Sequence, residues 1–440
     1  MKIQQFEDKG LAHYSYAVLS GSQIALIDPS RDITPYLKYA EEQAAKIIAI
    51  IETHPHADFV SGHFELHRTT GAALYCSALQ EASYPHHTFD EGDEIIIGAV
   101  KLKSLNTPGH SPDSISIVVE QDGKDKAVFT GDTLFIGDCG RPDLRENTGK
   151  ASAKREDLAK QMYYSLREKL MLLDDNVIVY PAHGAGTLCG KALSEASSST
   201  IGEETYSNWS LQQMSEAEFV RELISEQPFV PMYFPYDVGV NKSGAENQAD
   251  SLAKIVIGNP EDEKIPVIDT RSAVAFKEGH LPGAINLQDG GKFETWLGSI
   301  IAPGEAFYLL AENEAALQSV IKKTAKIGYE GFIKKAFTGA AGHTSMTPLD
   351  LDNFKTHQDH YTIVDIRNPA EVKAHPIFPD ALHIPLYELR ERAGEIPVDK
   401  PVVVHCAGGY RSAAGSSIVD GVLHGRAKVY DLGEVVQSFS

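Results

Sequence analysis

A chain of 440 residues with 61 acidic and 40 basic side chains, a formal charge of −21, is too long for one hydrophobic core and too acidic to favour nucleic acid or an anionic membrane as a partner. Its 42% apolar and 23% charged residues are ordinary for a folded protein, and a length prior gives about three domains. No run approaches the roughly 18 apolar residues of a membrane span, and the N-terminal MKIQQFEDKG lacks the apolar stretch of a secretory signal. Four scattered cysteines, Cys76, Cys139, Cys189 and Cys406, do not form a disulfide framework, so the cytoplasm is the expected location and free thiols are available for chemistry.

In chain order, the first 236 or so residues alternate short β-branched runs with Gly, Asp and Pro turns. Strands are expected at Ile24–Ile27, Ile47–Ile51, Ile95–Ile97, Ile115–Val119, Ala127–Thr130 and Val177–Tyr180. Leu158, Met162, Leu166 and Leu170 recur at helical spacing. Ser215 and Glu218 form a capping-box pattern ahead of Phe219, Leu223 and Ile224. The polar stretch Asp237–Asp250 reads as a linker.

Beyond it a unit repeats. Ile265–Arg271 and Tyr361–Arg367 each run an apolar strand into Asp-x-Arg, and His280–Asn286 is echoed more loosely by Phe378–Ile384. Two α/β units of about a hundred residues each, joined near Thr338–Pro348, are expected behind a β-rich first domain. The predicted domains are 1–240, 251–345 and 346–440.

Four groups of candidate metal ligands each follow a strand-like run. His54, His56 and Asp58 stand in Thr53-His-Pro-His-Ala-Asp-Phe59. His110 ends Asn-Thr-Pro-Gly-His, Asp132 ends Thr-Gly-Asp, and His183 ends Tyr-Pro-Ala-His. Strand ends gathered at one edge of a sandwich bring such residues together on a rigid frame. A lone His in any of these places is more often structural. Four groups sharing one strand-then-turn context favour a metal site.

On these motifs, in this order, residues 1–236 resemble the metallo-β-lactamase superfamily, whose fold is an αββα sandwich. Asp28, in Leu26-Ile-Asp-Pro, matches a position expected to order the metal loops. In dinuclear members the equivalents of His54, His56 and His110 hold one metal. Asp58, a His at position 59 and His183 hold the second, with Asp132 bridging. Here position 59 is Phe, which has no lone pair to give and argues against the second metal.

The mononuclear branch that the chain resembles best is the persulfide dioxygenases. That resemblance implies one Fe(II) held by His54, His110 and Asp132, a two-His, one-carboxylate face that leaves positions for O2 and a substrate sulfur. His56, Asp58 and His183 would then orient ligands or line the pocket. Gly137–Asp143 matches a Gly-Arg segment beside the substrate pocket of these enzymes. Arg141 is expected either to pair with a substrate carboxylate or to brace its own loop. Cys139 beside it reads as an ordinary buried thiol, and nothing around Cys76 or Cys189 marks either one.

The last repeat holds Val402-Val-Val-His-Cys406-Ala-Gly-Gly-Tyr-Arg411-Ser. An apolar strand ends at a Cys, and a Gly-containing loop leads into a helix-forming stretch. Backbone N–H groups of that loop, Gly408 and Gly409 among them, and a helix N-terminus would stabilise negative sulfur. Arg411 adds charge for an oxyanion such as sulfite or thiosulfate. Residues 346–440 resemble a rhodanese domain with Cys406 as the sulfur carrier. The first repeat also resembles that family, but its strand Ala306–Leu310 runs into Ala311-Glu-Asn-Glu. Without a Cys it is expected to be inactive.

Together the three parts resemble bacterial fusions of a persulfide dioxygenase with two rhodanese-like domains. The resemblance implies oxidation of a small thiol persulfide (of glutathione, coenzyme A, bacillithiol or cysteine) to sulfite. Cys406 would then pass sulfane sulfur to sulfite to give thiosulfate, or run the reverse transfer. It also favours a homodimer or homotetramer. The competing reading is a zinc thioester hydrolase of the glyoxalase II type carrying sulfur-binding domains.

Overall fold

Strands whose successive side chains are apolar on both faces demand cover on both sides, and the N-terminal unit supplies it. In the computed structural model, which describes residues 1–144, 154–191, 193–339, 342 and 344–439, six strands form a first sheet in sequential order. They are β1 (Lys2–Asp8), β2 (His13–Ser20), β3 (Gln23–Ile27), β4 (Lys46–Ile51), β5 (Ala73–Cys76) and β6 (His87–Thr88). A second sheet runs β12-β11-β10-β9-β8-β7, built from β7 (Glu94–Ile97), β8 (Val100–Asn106), β9 (Ile115–Gln121), β10 (Lys124–Gly131), β11 (Ile178–Pro181) and β12 (Ser199–Thr200).

Tyr16, Val18, Ile27 and Ile51 of the first sheet pack against Leu102, Ile117, Val119 and Phe129 of the second. The alternate residues point outward. Ile24, Leu26, Ile50 and Leu74 meet Tyr36, Tyr39 and Leu66 from helices Thr34–Glu42 and His63–Thr70. Val118, Val128 and Val179 meet Met162, Leu166, Phe219 and Leu223 from helices Arg155–Glu168 and Glu216–Ile224. Each fully buried side chain of these layers contributes roughly 1.5–3 kcal/mol relative to an exposed one. The result is the expected αββα sandwich. The Ser215–Glu218 capping box forms at the head of helix Glu216–Ile224.

Asp237–Asp250 is not a linker. Helix Phe234–Ser243 covers its first half, and Asp237 and Asn241 are fully buried. The Asn241 amide donates to the carbonyls of His56 and Phe59, both at 2.8 Å, and its oxygen accepts the Ser61 N–H at 2.8 Å. The polar composition is misleading because these side chains face inward. Asn241 satisfies backbone groups of the loop at residues 56–61.

The chain divides into two units, Met1–Asp250 with Lys326–Gly328, and Ser251–Ala325 with Tyr329–Ser440. The second holds both repeats, each with a four-stranded parallel sheet. The first runs β14-β13-β15-β16, from β13 (Val267–Asp269), β14 (Ile285–Asn286), β15 (Phe307–Ala311) and β16 (Ile333–Thr338). The other runs β18-β17-β19-β20, from β17 (Thr362–Asp365), β18 (Leu382–His383), β19 (Val402–His405) and β20 (Val429–Asp431). The shared Asp-x-Arg signature is a buried ion pair closing the turn after the strand: Arg271 on Asp269 at 2.5 Å, Arg367 on Asp365 at 2.6 Å. Residues 340, 341 and 343 of the expected join at Thr338–Pro348 lie outside the described residues.

Candidate functional site

The strand-end residues converge. β4, β8, β10 and β11 end on the same edge, and the loops beyond them bring His54, His110, Asp132 and His183 together, each no more than 2% exposed. Asp132 Oδ2 lies 3.5 Å from His110 Nε2 and 3.8 Å from His54 Nε2. One donor atom from each of the three residues fits within a common 4.8 Å span.

The far side of every one of these groups is pinned. His54 Nδ1 meets Thr53 Oγ1 at 3.0 Å, His110 Nδ1 donates to the Arg141 carbonyl at 2.9 Å, and Asp132 Oδ1 accepts from His183 Nδ1 at 2.8 Å. The inner atoms His54 Nε2 and Asp132 Oδ2 are buried without a hydrogen-bond partner. Such atoms are costly to leave unmatched. Two neutral imidazoles and a carboxylate with inward lone pairs are a donor set that fits one divalent cation.

The electrostatics agree. Burial holds His54 well below the ordinary imidazole range, with His56 adding to it, and burial lowers His110 too. Burial opposes charge on Asp132, but the hydrogen-bonded His183 outweighs it and keeps the carboxyl well below its usual value. Both rings are thus neutral and the carboxylate charged, as ligation requires.

The three residues expected behind the ligands divide into two groups. His56 turns away, with Nε2 3.2 Å from Asp28 Oδ1. Asp28 also accepts the Thr53 N–H at 2.7 Å and the Thr53 hydroxyl at 2.8 Å, so it ties His56, Thr53 and, through Thr53, His54 into one frame. His183 bridges two carboxylates, with Nδ1 on Asp132 and Nε2 2.8 Å from Asp58 Oδ2. Burial disfavours its charge, yet the two carboxylates prevail and raise it well above the ordinary value. Phe59 is 1% exposed, its ring 3.9 Å from that of His13 and 4.4 Å from that of His56.

Arg141 does not present its guanidinium to a cavity. It is 1% exposed, donates to both Asp143 oxygens at 2.7 Å, and reaches the carbonyls of Leu188 at 3.1 Å and Phe229 at 3.4 Å. Of its two expected roles, the geometry matches the loop brace. Pairing with a substrate carboxylate would cost these bonds.

Several residues at the site had no motif to announce them. Gly140 packs so closely that a Cβ there would stand 1.9 Å from the Asp132 carbonyl oxygen. Thr53, Asn241 and His13 hold the metal loops, and Cys189 lies beside Asp58 and His183. Only Thr53, adjacent to His54, carried a hint. The others reach the site through tertiary contacts. Cys139 is packed among Leu134, Met162 and Phe219, and burial pushes its thiol well up.

In the last repeat Cys406 directly follows β19 and is 1% exposed. Its sulfur accepts the Gly409 N–H at 3.1 Å. Gly409 has φ +93°, and a Cβ on it would meet the Glu434 backbone nitrogen at 2.8 Å. Helix Tyr410–Leu423 begins directly behind it, and Gly408 is exposed at the loop tip. Arg411 is already engaged, with both Nη atoms on Glu371 at 2.6 Å and its guanidinium 5.9 Å from the Trp296 ring. In the first repeat only residues 312 and 313 separate β15 from helix Glu314–Lys326, against residues 406–409 between β19 and its helix. The loop after β15 is thus two residues shorter than the one after β19.

Comparison with known proteins gives the same picture. Residues 8–183 match the metallo-beta-lactamase superfamily, and residues 252–333 and 348–434 match the rhodanese-like domain. A mitochondrial persulfide dioxygenase of Mus musculus is 31% identical over 183 residues, covering 41% of this chain and 66% of that protein. A hydroxyacylglutathione hydrolase of Methylobacillus flagellatus is 32% identical over 183 residues, covering 41% of this chain and 64% of its own length. The chain therefore spans just under two thirds of these curated relatives. The crystal structure of a metallo-beta-lactamase from Staphylococcus aureus superposes with a TM-score of 0.69 at 30% identity, covering 77% of this chain and 99% of that one. Among the described residues no helix is long and apolar enough to cross a membrane. With its sandwich, its strand-end ligands and its two repeats accounted for, the chain belongs to the metallo-beta-lactamase superfamily and carries two rhodanese-like domains behind that domain.

Proposed function

We propose that this protein is an iron-dependent persulfide dioxygenase coupled to a sulfurtransferase. The observation that carries the reading is the convergence of His54, His110 and Asp132 on one buried point, in a chain that also presents Cys406 to a backbone N–H at a helix start. Fe(II) held by those three residues would supply the redox chemistry that joins O2 to a sulfur substrate, which Zn(II) does not. In the overall reaction a thiol persulfide, O2 and water give the thiol, sulfite and two protons.

The chain's own groups prepare that chemistry. Thr53 and the Arg141 carbonyl fix which ring nitrogen of His54 and His110 faces inward. His183 holds the Asp132 carboxylate by its outer oxygen and leaves Oδ2 free for ligation. Phe59 and His13 wall the loop with rings, limiting water on that side.

At the second site the Cys406 thiolate attacks the outer sulfur of a persulfide. That S–S bond breaks, a Cys406 S–S bond forms, and the thiol leaves with the proton. Sulfite then attacks the Cys406 persulfide, forming thiosulfate and returning the thiolate. The Gly409 N–H stabilises the sulfur anion in both steps. Arg411 reaches an oxyanion by exchanging its Glu371 partner.

Two substitutions test the assignment. Asp132→Ala abolishes O2 uptake and leaves Cys406 able to accept sulfane sulfur, whereas Cys406→Ser consumes O2 and accumulates sulfite. Thiosulfate formed at the parent rate by Cys406→Ser would sink the coupled mechanism.

A further inference from the structure

We infer that the first repeat, although its own loop has no Cys, is part of the sulfur-transfer site. Lys277 and the turn at residues 288–290 act as positioning residues for Gly409, whose N–H the Cys406 sulfur accepts. The inference rests on the proposed reading of Cys406 as the sulfur carrier.

Gly409 is framed by two segments of its own repeat. One is the turn after β20, so close that a Cβ on Gly409 would stand 2.8 Å from the Glu434 nitrogen and 2.9 Å from the Gly433 carbonyl carbon. The other is Tyr410, the next residue, which opens the helix. The first repeat holds each of them. Lys277, on helix Ala273–Glu278, brings Nζ to 2.6 Å from Asp431 Oδ2, and Asp431 Oδ1 accepts the Gly433 N–H at 2.9 Å. The Tyr410 hydroxyl donates to the Gln288 carbonyl at 2.9 Å. Its ring lies so near Gly290 that a Cβ there would meet it at 2.8 Å.

The gripping turn is itself fixed. The Asp289 N–H donates to the Thr270 carbonyl at 3.0 Å, just past β13, and the Lys323 ammonium bonds the Asp289 carboxylate. The helix behind the site is enclosed as well. Residues 412–419 of helix Tyr410–Leu423 are all buried, a run of more than two turns, so every face of it is covered. It packs on β19 and β20 of its own sheet and on β14 of the first repeat, where the Asn286 N–H donates to Ser417 Oγ at 2.9 Å. A donor that stabilises a developing anion acts only when its surroundings hold it in place. Here both supports of that donor lead to the repeat without a thiol.

The test is sulfur loading of Cys406 in the full-length chain, read by mass as the persulfide formed from thiosulfate, with Tyr410→Phe and Lys277→Met. Each should lower the loading rate at saturating thiosulfate about 10-fold, since misplacement by about 1 Å costs about 100-fold. The half-saturating concentration should stay unchanged, because Arg411 is untouched, and Lys277→Arg should restore the rate. Arg390→Ala is the control. It breaks a different contact between the repeats, to Glu305 and the Ile300 carbonyl, and should lower the melting temperature with no change in rate. Loading at the parent rate by Tyr410→Phe or by Lys277→Met overturns the inference. So does Arg390→Ala slowing loading as much as they do, which would mean that the repeats only keep each other folded. If Lys277→Met does not fold, Tyr410→Phe decides alone. A parent chain that loads no sulfur on Cys406 overturns the proposed function and this inference with it.

Discussion

Gly140→Ala isolates the geometric core of the account. A Cβ at this position would lie 1.9 Å from the Asp132 carbonyl oxygen and 3.0 Å from His110 Nδ1. Carbon and carbonyl oxygen rest about 3.3 Å or more apart, so the two must separate by more than about 1 Å. The obstructing atom is backbone and cannot swing aside. Metal–ligand distances must hold to about 0.2 Å, and both neighbours are proposed ligands. We expect Fe(II) affinity to fall about 10–100-fold, or about 1.4–2.8 kcal/mol. Metal-free stability should fall by about 1–3 kcal/mol, as for other overpacked sites. Chelator competition reads the first quantity, and thermal unfolding with and without metal separates the two. A simple packing defect lowers both melting temperatures equally. A distorted site also shrinks the metal-induced rise. Gly140→Ala binding Fe(II) within twofold of the parent would refute the reasoning.

Further outcomes follow from other contacts. Thr53→Val keeps the side-chain shape but strands Asp28 Oδ2 and frees His54 Nδ1. It should cost about 1–3 kcal/mol of stability and weaken metal binding, with Thr53→Ser restoring both in a chelator titration. Glu371 is held below the ordinary carboxyl range because the Arg411 hydrogen bonds outweigh the effect of burial. Its contribution to stability is therefore present above about pH 4.3, the unfolded value, and is lost as pH falls through the lowered folded value. Glu371→Gln should flatten that acid limb of an unfolding-versus-pH curve. By releasing Arg411 it should also lower the thiosulfate concentration needed for half-maximal sulfur transfer, and an unchanged half-saturation would show that Glu371 does not compete with substrate.

Much of this molecule could be read in its sequence because local chemistry and global structure agree there. β-Branched runs such as Ile115–Val119 are buried on both faces and became strands, and Ser215 with Glu218 became a cap. The strand-end His and Asp residues assemble because their motifs sit on a rigid edge. Reading failed where a side chain answers to a distant partner. Asp237 and Asn241 resemble linker residues, yet both are buried, and Asn241 completes hydrogen bonds of the metal loop. Of the two roles the sequence leaves to Arg141, its bonds to Asp143 and two carbonyls match the loop brace. Cys189 carried no local signal, since what brings it to Asp58 is the loop after β11. Phe59 does remove a nitrogen from the second position.

The most direct test of the central claim is O2 consumption by iron-loaded full-length protein, measured across the persulfides of glutathione, coenzyme A, bacillithiol and cysteine. The account predicts O2 uptake matched mole for mole by sulfite plus thiosulfate with at least one of them, and no uptake by Asp132→Ala. Thioester cleavage by the zinc-loaded protein, with no O2 consumed on any persulfide by the iron-loaded one, would contradict it.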